Sequence, residues 1–275
     1  KKRLEHRFPH EFKYTYVPYD ATKATNLDIY TDYIIHGASN ANPVSYLQQP
    51  VETMLGNFVG LNSLLELAQK NRARLLYISS SEVYGKKTEN QPFKEEDYGL
   101  VEILNLRSCY PNGKRSAETL CVAYGVEYDI DTVIVRPGHI YGPTITESDT
   151  RASAQFTRNV LKGEQIVMKS AGNQLRSYCY TLDCASAILS VLINGKKNTA
   201  YNISNRSSIV TILEFAKTLA RYGQTKIIFE NPTYTESKGY NFMQNSSLDS
   251  KRLELLGWSA CFNLDLGIKR TLEAL

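Results

Sequence analysis

The sequence lacks the features that mark membrane, disulfide-rich and metal-binding proteins. It contains no run of about 18 uncharged apolar residues, which argues against a membrane span. The basic first residues are not followed by the apolar core of a signal peptide. The four histidines share no metal-ligand spacing, so no metal is expected. The cysteines are odd in number and unpaired in spacing, which favours reduced thiols and a cytoplasmic location: Cys109, Cys121, Cys179, Cys184 and Cys261.

The chain also lacks a strong excess of one charge. The formal net charge is +4 over 275 residues, with 42% hydrophobic and 22% charged residues. These values are typical of a globular protein. A nucleic-acid-binding protein concentrates its basic residues on one face or in runs, whereas here they are scattered. We therefore expect no nucleic-acid partner and no membrane partner.

A glycine-rich phosphate loop is absent. Dinucleotide-binding units open with a strand and a Gly-x-Gly-x-x-Gly or Gly-x-x-Gly-x-x-Gly turn, because only glycine lets backbone amides approach the pyrophosphate. None of the 16 glycines forms such a cluster, and the sequence does not begin with methionine. We expect that the first strand and this loop are missing from the sequence. The alternative is a protein that never had a cofactor loop.

What is present is an alternation of apolar runs and helical patterns. This order favours the α/β class, with a Rossmann-type doubly wound parallel sheet. Residues 1–145 are predicted to form the dinucleotide-binding domain, and residues 146–275 a smaller substrate-binding lobe interleaved with it. The predicted strands are Lys13–Pro18, Asp32–Ala38, Arg74–Ser79 and Asp131–Arg136, with isolated strands at Gln165–Lys169 and Thr199–Ile203. The predicted helices are Thr53–Gln69, Tyr110–Tyr124, Val210–Tyr222 and Lys251–Leu256.

The spacing Tyr-x-x-x-Lys places a phenol and an ammonium on one face of a helix. A nearby cation favours the phenolate, and a lowered pKa lets tyrosine act as a base. The spacing occurs four times in the sequence, so alone it carries little weight. Only Tyr110/Lys114 opens an amphipathic helix between two apolar strands, and Pro111 suits the first turn of such a helix. Without its neighbours, this pair would be as well explained by two surface residues.

The segment SSSEVYG at 79–85 follows an apolar strand directly. Hydroxyl groups at that place often only stabilise a turn. In a doubly wound sheet, however, they would also face the cleft beyond the carboxyl ends of the strands, where ligands bind. Ser80 and Tyr110 are therefore expected to face one cleft.

These segments resemble the extended short-chain dehydrogenase/reductase family of NAD-dependent nucleotide-sugar epimerases, dehydratases and decarboxylases. The similar pieces run in family order: HGAS (36–39), LLYISSSEVYG (75–85), YPNGKRSAE (110–118), VIVRPGHIYGP (133–143), RSYCYTLD (176–183), AYNIS (200–204) and LDSKRLELLGW (248–258). The resemblance covers almost the whole chain, and only the glycine-rich opening is absent.

The resemblance implies a role for each matching residue. Tyr110 would be the acid and base, with Lys114 on the nicotinamide ribose and Ser80 on the reacting oxygen. NAD would lie against Asp20, Gly37, Ala38, Asn57, Tyr110, Lys114 and Pro137. Substrate would contact Ser81, His139, Arg176 and Asn202. At the position of His139 the family often has asparagine, so this sequence departs from the family pattern there. Asp20, Asn57 and Arg176 have plainer interpretations as a turn residue, a helix-packing residue and a surface charge.

The resemblance further implies a nucleoside-diphosphate sugar substrate, a transient 4-keto intermediate and a homodimer paired through helices 53–70 and 110–125. Glu82 is a carboxylate at a sequence position where simple 4-epimerases often have a non-acidic residue. It favours the decarboxylase or 4,6-dehydratase branch. Around residues 80–118 the chain resembles UDP-glucuronate decarboxylases. A 4-epimerase, a non-catalytic cofactor-binding homologue, and an oxidoreductase acting on a small alcohol or a sterol remain alternatives.

Overall fold

A computed structural model of the protein describes residues 14–24, 26–87, 91–234, 237 and 243–275. Its central sheet has four parallel strands in the order β1-β2-β3-β7. These are β1 (Tyr33–His36), β2 (Arg74–Ile78), β3 (Thr132–Pro137) and β7 (Thr199–Ile203). The predicted doubly wound parallel sheet is therefore confirmed. Because β2 and β3 are neighbours, the segments that follow them lie at one edge of the sheet.

Side chains alternate along each strand, so the apolar strands of this sheet present buried side chains on both faces. Helices cover both of these faces. Leu75 and Tyr77 lie in the hydrophobic cluster on one face of the sheet, and Leu76 lies in the cluster on the opposite face. The first face is covered by α2 (Pro50–Asn71) and α3 (Cys109–Glu127), which also pack against each other; the short α1 (Pro43–Gln48) precedes α2. The second face is covered by α5 (Thr181–Asn194) and α7 (Lys251–Glu254).

The remaining elements form two smaller sheets and their helices. One sheet contains β4 (His139–Tyr141), β6 (Leu175–Tyr180), β8 (Ile209–Thr211) and β10 (Asn245–Ser246); the other pairs β5 (Ile166–Met168) with β9 (Ile227–Phe229). Packed with them are α4 (Ala152–Leu161), α6 (Ile212–Tyr222) and α8 (Leu264–Glu273). The structure does not test a boundary at residue 145, which stays a prediction.

Three predictions about single elements were wrong. Residues 14–18 form no strand, because β1 lies at the edge of the sheet and no strand of the described chain pairs with its outer side. Thr199–Ile203 is not isolated but pairs in register with β3. Val210 does not begin a helix: it lies in β8, and the helix starts after Thr211, whose side chain forms a reciprocal capping box with Glu214.

A buried ion pair ties the sheet to α3. Arg136 of β3 donates to both carboxylate oxygens of Glu118, with a closest contact of 2.6 Å, and to the hydroxyl of Tyr84 at 2.9 Å. The Tyr84 hydroxyl in turn donates to Asn202 at 2.6 Å. This network holds the turn after β2, helix α3 and strand β7 in one arrangement, and so fixes the floor beneath the candidate site. Among the described helices, none combines the length and apolarity that crossing a bilayer requires.

Candidate active site

The turn after β2 carries two of the predicted residues, Ser80 and Glu82. The strand ends at Ile78, and Ser81–Tyr84 forms a short 3-10 helix. The Ser80 hydroxyl caps this helix by accepting a hydrogen bond from the backbone N–H of Glu82 at 3.2 Å. The Ser80 oxygen is thereby fixed, and its own proton remains available to donate.

Tyr110 lies in the first turn of α3 with only 6% of its surface exposed. The side chains of Ser80 and Tyr46 lie close enough to its oxygen to lower its pKa. The Tyr46 ring stacks on the Tyr110 ring, with centroids 4.5 Å apart and planes 15° apart. Ser80 and Tyr110 therefore meet, as the sequence indicated.

The pKa of Tyr110 is not lowered in this structure, contrary to the sequence-based expectation. Burial, followed by the negative charge of Glu82, raises it to about 12, while the neighbouring hydroxyls of Ser80 and Tyr46 and the charge of Arg151 oppose that rise. Lys114 donates to the Ile78 carbonyl, and in the described part of the chain it forms no hydrogen bond with the phenolic oxygen; its ammonium lies beneath the Tyr110 ring, 5.8 Å from the centroid. The protein alone thus leaves Tyr110 a phenol, and further positive charge is needed to make it a base near neutral pH.

The Lys114 ammonium is buried beneath the site. It donates to the backbone carbonyl of Ile78 at 2.7 Å and lies 4.8 Å from the centroid of the Tyr77 ring. Burial lowers the pKa of Lys114 to about 7, because the charged form loses its hydration. A ligand that offers oxygen acceptors to this ammonium would stabilise its charged form.

Glu82 is held by a partner that the sequence did not predict. Arg107, in the 3-10 helix Leu106–Ser108 just before α3, donates to both oxygens of Glu82 at 2.8 and 2.9 Å. Asn105 caps that short helix through the N–H of Arg107 at 3.0 Å. Side-chain exposure is 12% for Arg107 and 18% for Glu82. Glu82 is therefore a fixed, charged group beside Tyr110 rather than a solvated turn residue.

Three of the residues predicted to bind the cofactor lie at the carboxyl ends of β1 and β3. Gly37 and Ala38 follow β1 and are exposed, and Pro137 ends β3. His36 is buried, its Nε2 atom has no hydrogen-bond partner in the described structure, and burial lowers its pKa to about 4. Asn57 is fully buried and bonded within the protein: its Oδ1 accepts from the Tyr77 hydroxyl at 3.0 Å.

Asp20 lies apart, on an exposed turn. Its Oδ1 accepts hydrogen bonds from the backbone N–H of Thr22 at 3.0 Å and from the Thr22 hydroxyl at 2.8 Å. The turn packs against α2 at Gly60, where a Cβ atom would come within 2.5 Å of the Ala21 carbonyl oxygen. Glycine permits this approach and so positions the turn. Asp20 has the geometry of a turn residue, and its role towards the cofactor stays a prediction.

The residues predicted to bind substrate separate into two groups. Arg176 of β6 is 3% exposed, donates to the Leu175 carbonyl at 2.9 Å and forms no ion pair with a carboxylate of the described chain. His139 of β4 has an Nδ1 atom without a hydrogen-bond partner among the described residues, and burial together with the charges of Arg176 and Arg151 lowers its pKa to about 3. The guanidinium and the neutral imidazole are both suited to bind an anionic ligand.

Asn202 and Ser81 are placed differently. Both amide hydrogens of Asn202 are used inside the protein, on the carbonyls of Phe93 at 2.9 Å and Asp249 at 3.0 Å. No donor of Asn202 therefore remains for a substrate, and the geometry gives it a structural role. Ser81 is buried in the 3-10 helix; its role stays a prediction.

Three residues of this site were not found from the sequence: Tyr46, Arg107 and Arg151. Each contacts the site through a loop or a short helix whose sequence matches no chemical motif. Arg151 adds positive charge near Tyr110 and His139 and is held by Asp149 at 2.6 Å. For Tyr46, the sequence offered only its aromatic side chain in the segment that follows HGAS, which does not by itself indicate a place in the site.

Comparison with known proteins agrees with this arrangement. Residues 3–204 match the model of the NAD dependent epimerase/dehydratase family. UDP-glucuronic acid decarboxylase 1 of Xenopus tropicalis is 31% identical over 99% of this chain and 63% of its own length. UDP-glucuronic acid decarboxylase 3 of Arabidopsis thaliana is 32% identical over 93% of this chain and 72% of its own length. The chain thus spans 63% of the length of the Xenopus relative.

Solved structures share the fold. UDP-glucose 4-epimerase of Thermotoga maritima, in a structure with UDP-glucose, superposes with a TM-score of 0.78 at 23% identity, covering 88% of this chain and 76% of that one. dTDP-glucose 4,6-dehydratase of Bacillus anthracis, in complex with NAD, gives 0.72 at 20% identity, covering 88% and 72%. At these identities the likeness establishes the fold alone.

Proposed function

Because the chain belongs to the NAD-dependent epimerase/dehydratase family, we propose that it is an NAD-dependent enzyme acting on a nucleoside-diphosphate sugar through a transient 4-keto intermediate. The observation that carries this proposal is that the Ser80 and Tyr110 side chains lie next to each other, close to the buried Lys114 ammonium. A hydroxyl donor, a phenol and a cation are the groups needed to move a proton on and off a sugar hydroxyl.

The residues present fit a bound dinucleotide. The buried and unpartnered Nε2 of His36, the exposed Gly37 and Ala38, and the Lys114 ammonium lie around the carboxyl end of the sheet, where such ligands bind. NAD, when bound, supplies the reversible oxidation of a sugar carbon and a positive charge near Tyr110.

The chain's own groups carry the proton steps. Tyr110 takes the proton from the sugar hydroxyl as the carbon is oxidised, and later returns it. Ser80 holds the same sugar oxygen by hydrogen bonding, which keeps it in line with the phenol. Lys114 would hold the ribose of the dinucleotide and add positive charge beneath the Tyr110 ring.

The decarboxylase or 4,6-dehydratase branch is favoured by Glu82. Its carboxylate is close enough to Tyr110 to raise the pKa of that residue, and Arg107 fixes both its oxygens. A fixed carboxylate can exchange a proton at the carbon next to the ketone, which a simple 4-epimerase does not need. The curated relatives named above are called UDP-glucuronic acid decarboxylases, which is consistent with this branch.

The substrate's diphosphate is assigned to Arg176. A buried guanidinium that pairs with no carboxylate of the described residues presents a planar fork of donors that matches phosphate oxygens. The neutral imidazole of His139 lies close enough for Arg176 to lower its pKa, so the two side chains border the same space.

Product analysis tests this proposal. Full-length protein with NAD should convert at least one of UDP-glucuronate, UDP-glucose and dTDP-glucose. Mass spectrometry would show a loss of carbon dioxide for a decarboxylase, a loss of water for a dehydratase, and an unchanged mass with a new retention time for an epimerase. If the protein binds NAD but leaves every member of the panel unchanged, a non-catalytic role replaces this proposal.

We also place the enzyme in the cytoplasm as a homodimer, with α2 and α3 of each copy forming the interface. Both helices carry apolar side chains that remain exposed. Exposure is 45% for Met54 and 45% for Phe58 of α2, and 76% for Val126 of α3. Their burial in a four-helix bundle would remove this apolar surface from water.

Light scattering tests the dimer. Full-length protein at micromolar concentration should have the mass of a dimer, and Phe58→Glu should convert it to a monomer by placing charge in an apolar interface. The matched control is Ile193→Glu, which changes a side chain of 64% exposure on α5. A monomeric wild type, or equal effects of the two substitutions, would contradict the proposed interface.

A further inference from the structure

Asn42 connects two sides of the candidate site. It lies just before α1, whose Tyr46 ring stacks on the ring of Tyr110. The Asn42 side chain reaches the segment that leads into α4: its Nδ2 donates to the Ser148 carbonyl at 2.8 Å, and its Oδ1 accepts from the Thr150 hydroxyl at 2.8 Å. These partners are 106 and 108 positions away in the sequence, so the contacts hold that segment against the side of the site that carries Tyr110.

The same segment is held from its other side by α4. Arg158 of α4 donates to the Thr146 carbonyl at 2.9 Å and to the Asp149 carbonyl at 2.6 Å. Residues 146–151, the strap, therefore run from α4 to the start of α1. Most of the side chains of the strap are exposed. Hydrogen bonds to its neighbours, rather than burial, therefore determine its position.

The strap ends in Arg151, whose guanidinium lies beside β4. The Nε and Nη2 atoms donate to Asp149 at 3.0 and 2.6 Å, and Nη1 donates to the Ile140 carbonyl at 3.3 Å. One hydrogen on each terminal nitrogen is left without a partner among the described residues. The charges of Arg151 and Arg176 both lower the pKa of His139, as expected for two guanidinium groups near one imidazole.

We propose that Asn42 is a positioning residue, which holds the strap in place so that the Arg151 guanidinium can bind the diphosphate of a nucleoside-diphosphate sugar. This inference rests on the proposed function, which supplies the substrate class and assigns Arg176 to the same diphosphate. A strap that is ordered before the ligand arrives loses less conformational freedom on binding, so the hydrogen bonds that order it increase affinity. Asn42 thus acts through Arg151 and does not itself touch the substrate.

Asn42→Ser tests the proposal in full-length protein loaded with NAD. Serine caps helices as asparagine does, so α1 should keep the capping bond that Val44 now donates to Asn42 at 2.9 Å, while both contacts with the strap are lost. The dissociation constant for UDP, measured by calorimetry, should rise about 5- to 10-fold, because two hydrogen bonds are removed. Binding of uridine should not change, since uridine carries no anion for Arg151. With a converted sugar, KM should rise while kcat changes little.

Thr150→Val breaks the contact from the side of the strap and leaves the cap of α1 intact. It should raise the dissociation constant for UDP about threefold, because one hydrogen bond is lost. Thr150→Ser keeps the hydroxyl and should bind UDP as the wild type does. The matched control is Thr146→Val, which removes an exposed hydroxyl that bonds within the strap, to Ser148 Oγ at 3.2 Å. That control should leave UDP binding unchanged.

Arg151→Gln shows whether Asn42 acts through that guanidinium. The substitution should raise the dissociation constant for UDP about 10- to 100-fold, because a hydrogen bond from a charged group is lost. Adding Asn42→Ser to it should have no further effect, since both changes remove the same interaction. The role of Asn42 is overturned by additive losses, by equal losses of uridine and UDP binding, or by wild-type UDP binding in Asn42→Ser and Thr150→Val.

These binding measurements separate the role of Asn42 from the proposed function. If the wild type binds UDP but converts no nucleotide sugar, the proposed function fails and the variants still decide the role of Asn42. If the wild type binds dTDP and not UDP, dTDP and thymidine are the probes; if it binds neither nucleotide, both proposals are overturned. If Asn42→Ser does not fold, the comparison of Thr150→Val with Thr150→Ser, at an exposed position, decides the question.

Discussion

Tyr110→Phe should lower turnover of the true substrate by about 100- to 10,000-fold, the usual loss when general acid–base assistance is removed. The substitution keeps the ring that stacks on Tyr46 at 4.5 Å. The binding constant for NAD should therefore change little, since the phenol is not its main anchor. Steady-state kinetics of full-length protein, together with calorimetric titration of NAD, measures both quantities.

Lys114→Ala gives the comparison for that experiment. It removes the proposed ribose contact and the cation beneath the Tyr110 ring, so it should weaken NAD binding and turnover together. Wild-type turnover in Tyr110→Phe would show that this tyrosine is not the acid and base. Equal losses of NAD affinity in both variants would show that the two residues act only by supporting the fold.

Glu82→Gln should separate the reaction branches. In a decarboxylase or dehydratase, loss of the carboxylate should lower turnover by about 100-fold or more. The 4-keto sugar and reduced cofactor should then be released, because oxidation proceeds while the next step does not. Product mass spectrometry and absorbance of reduced cofactor detect both. An epimerase should instead keep most of its turnover.

Glu102→Gln is the matched control for Glu82→Gln. Glu102 lines the same surface cavity as Glu82 and pairs with Lys86 at 2.9 Å, but its side chain is 53% exposed. Exchange of that carboxylate should leave turnover within about twofold, because exposed ion pairs contribute little. If both variants lose turnover alike, the effect belongs to charge in the cavity and not to Glu82 as a reacting group.

The parts of the fold that could be predicted are those whose signal is local. The apolar runs of β2 and β3 and the helical pattern of α2 and α3 lie in continuous sequence, so their positions were correct to within a few residues. Thr199–Ile203 was recognised as a strand, but its place beside β3 depends on a pairing partner far away in the chain. Residues 14–18 show the reverse case, since a strand-like composition without a neighbouring strand does not form one.

The residues of the candidate site also differ in whether their signal is local in the sequence. Ser80, Tyr110 and Lys114 follow a strand or open a helix, so their place in the sequence implied their place in the cleft. Arg107 was missed because its role depends on an ion pair with Glu82, which lies 25 positions away in the sequence. The sequence likewise could not show that the amide donors of Asn202 are fully used within the protein.

Under the proposed function, the buried guanidinium of Arg176 affects which sugars are excluded from the cleft. A charge removed from water without a counter-charge costs free energy, and only an anion that reaches it can recover that cost. A free sugar carries no such group, so it would have to occupy the cleft while the cation stayed uncompensated. Discrimination against the abundant unactivated sugars of a cell thus needs no clash with them. Under the proposed function, only a nucleotide-activated sugar carries the anion that can pair with this guanidinium.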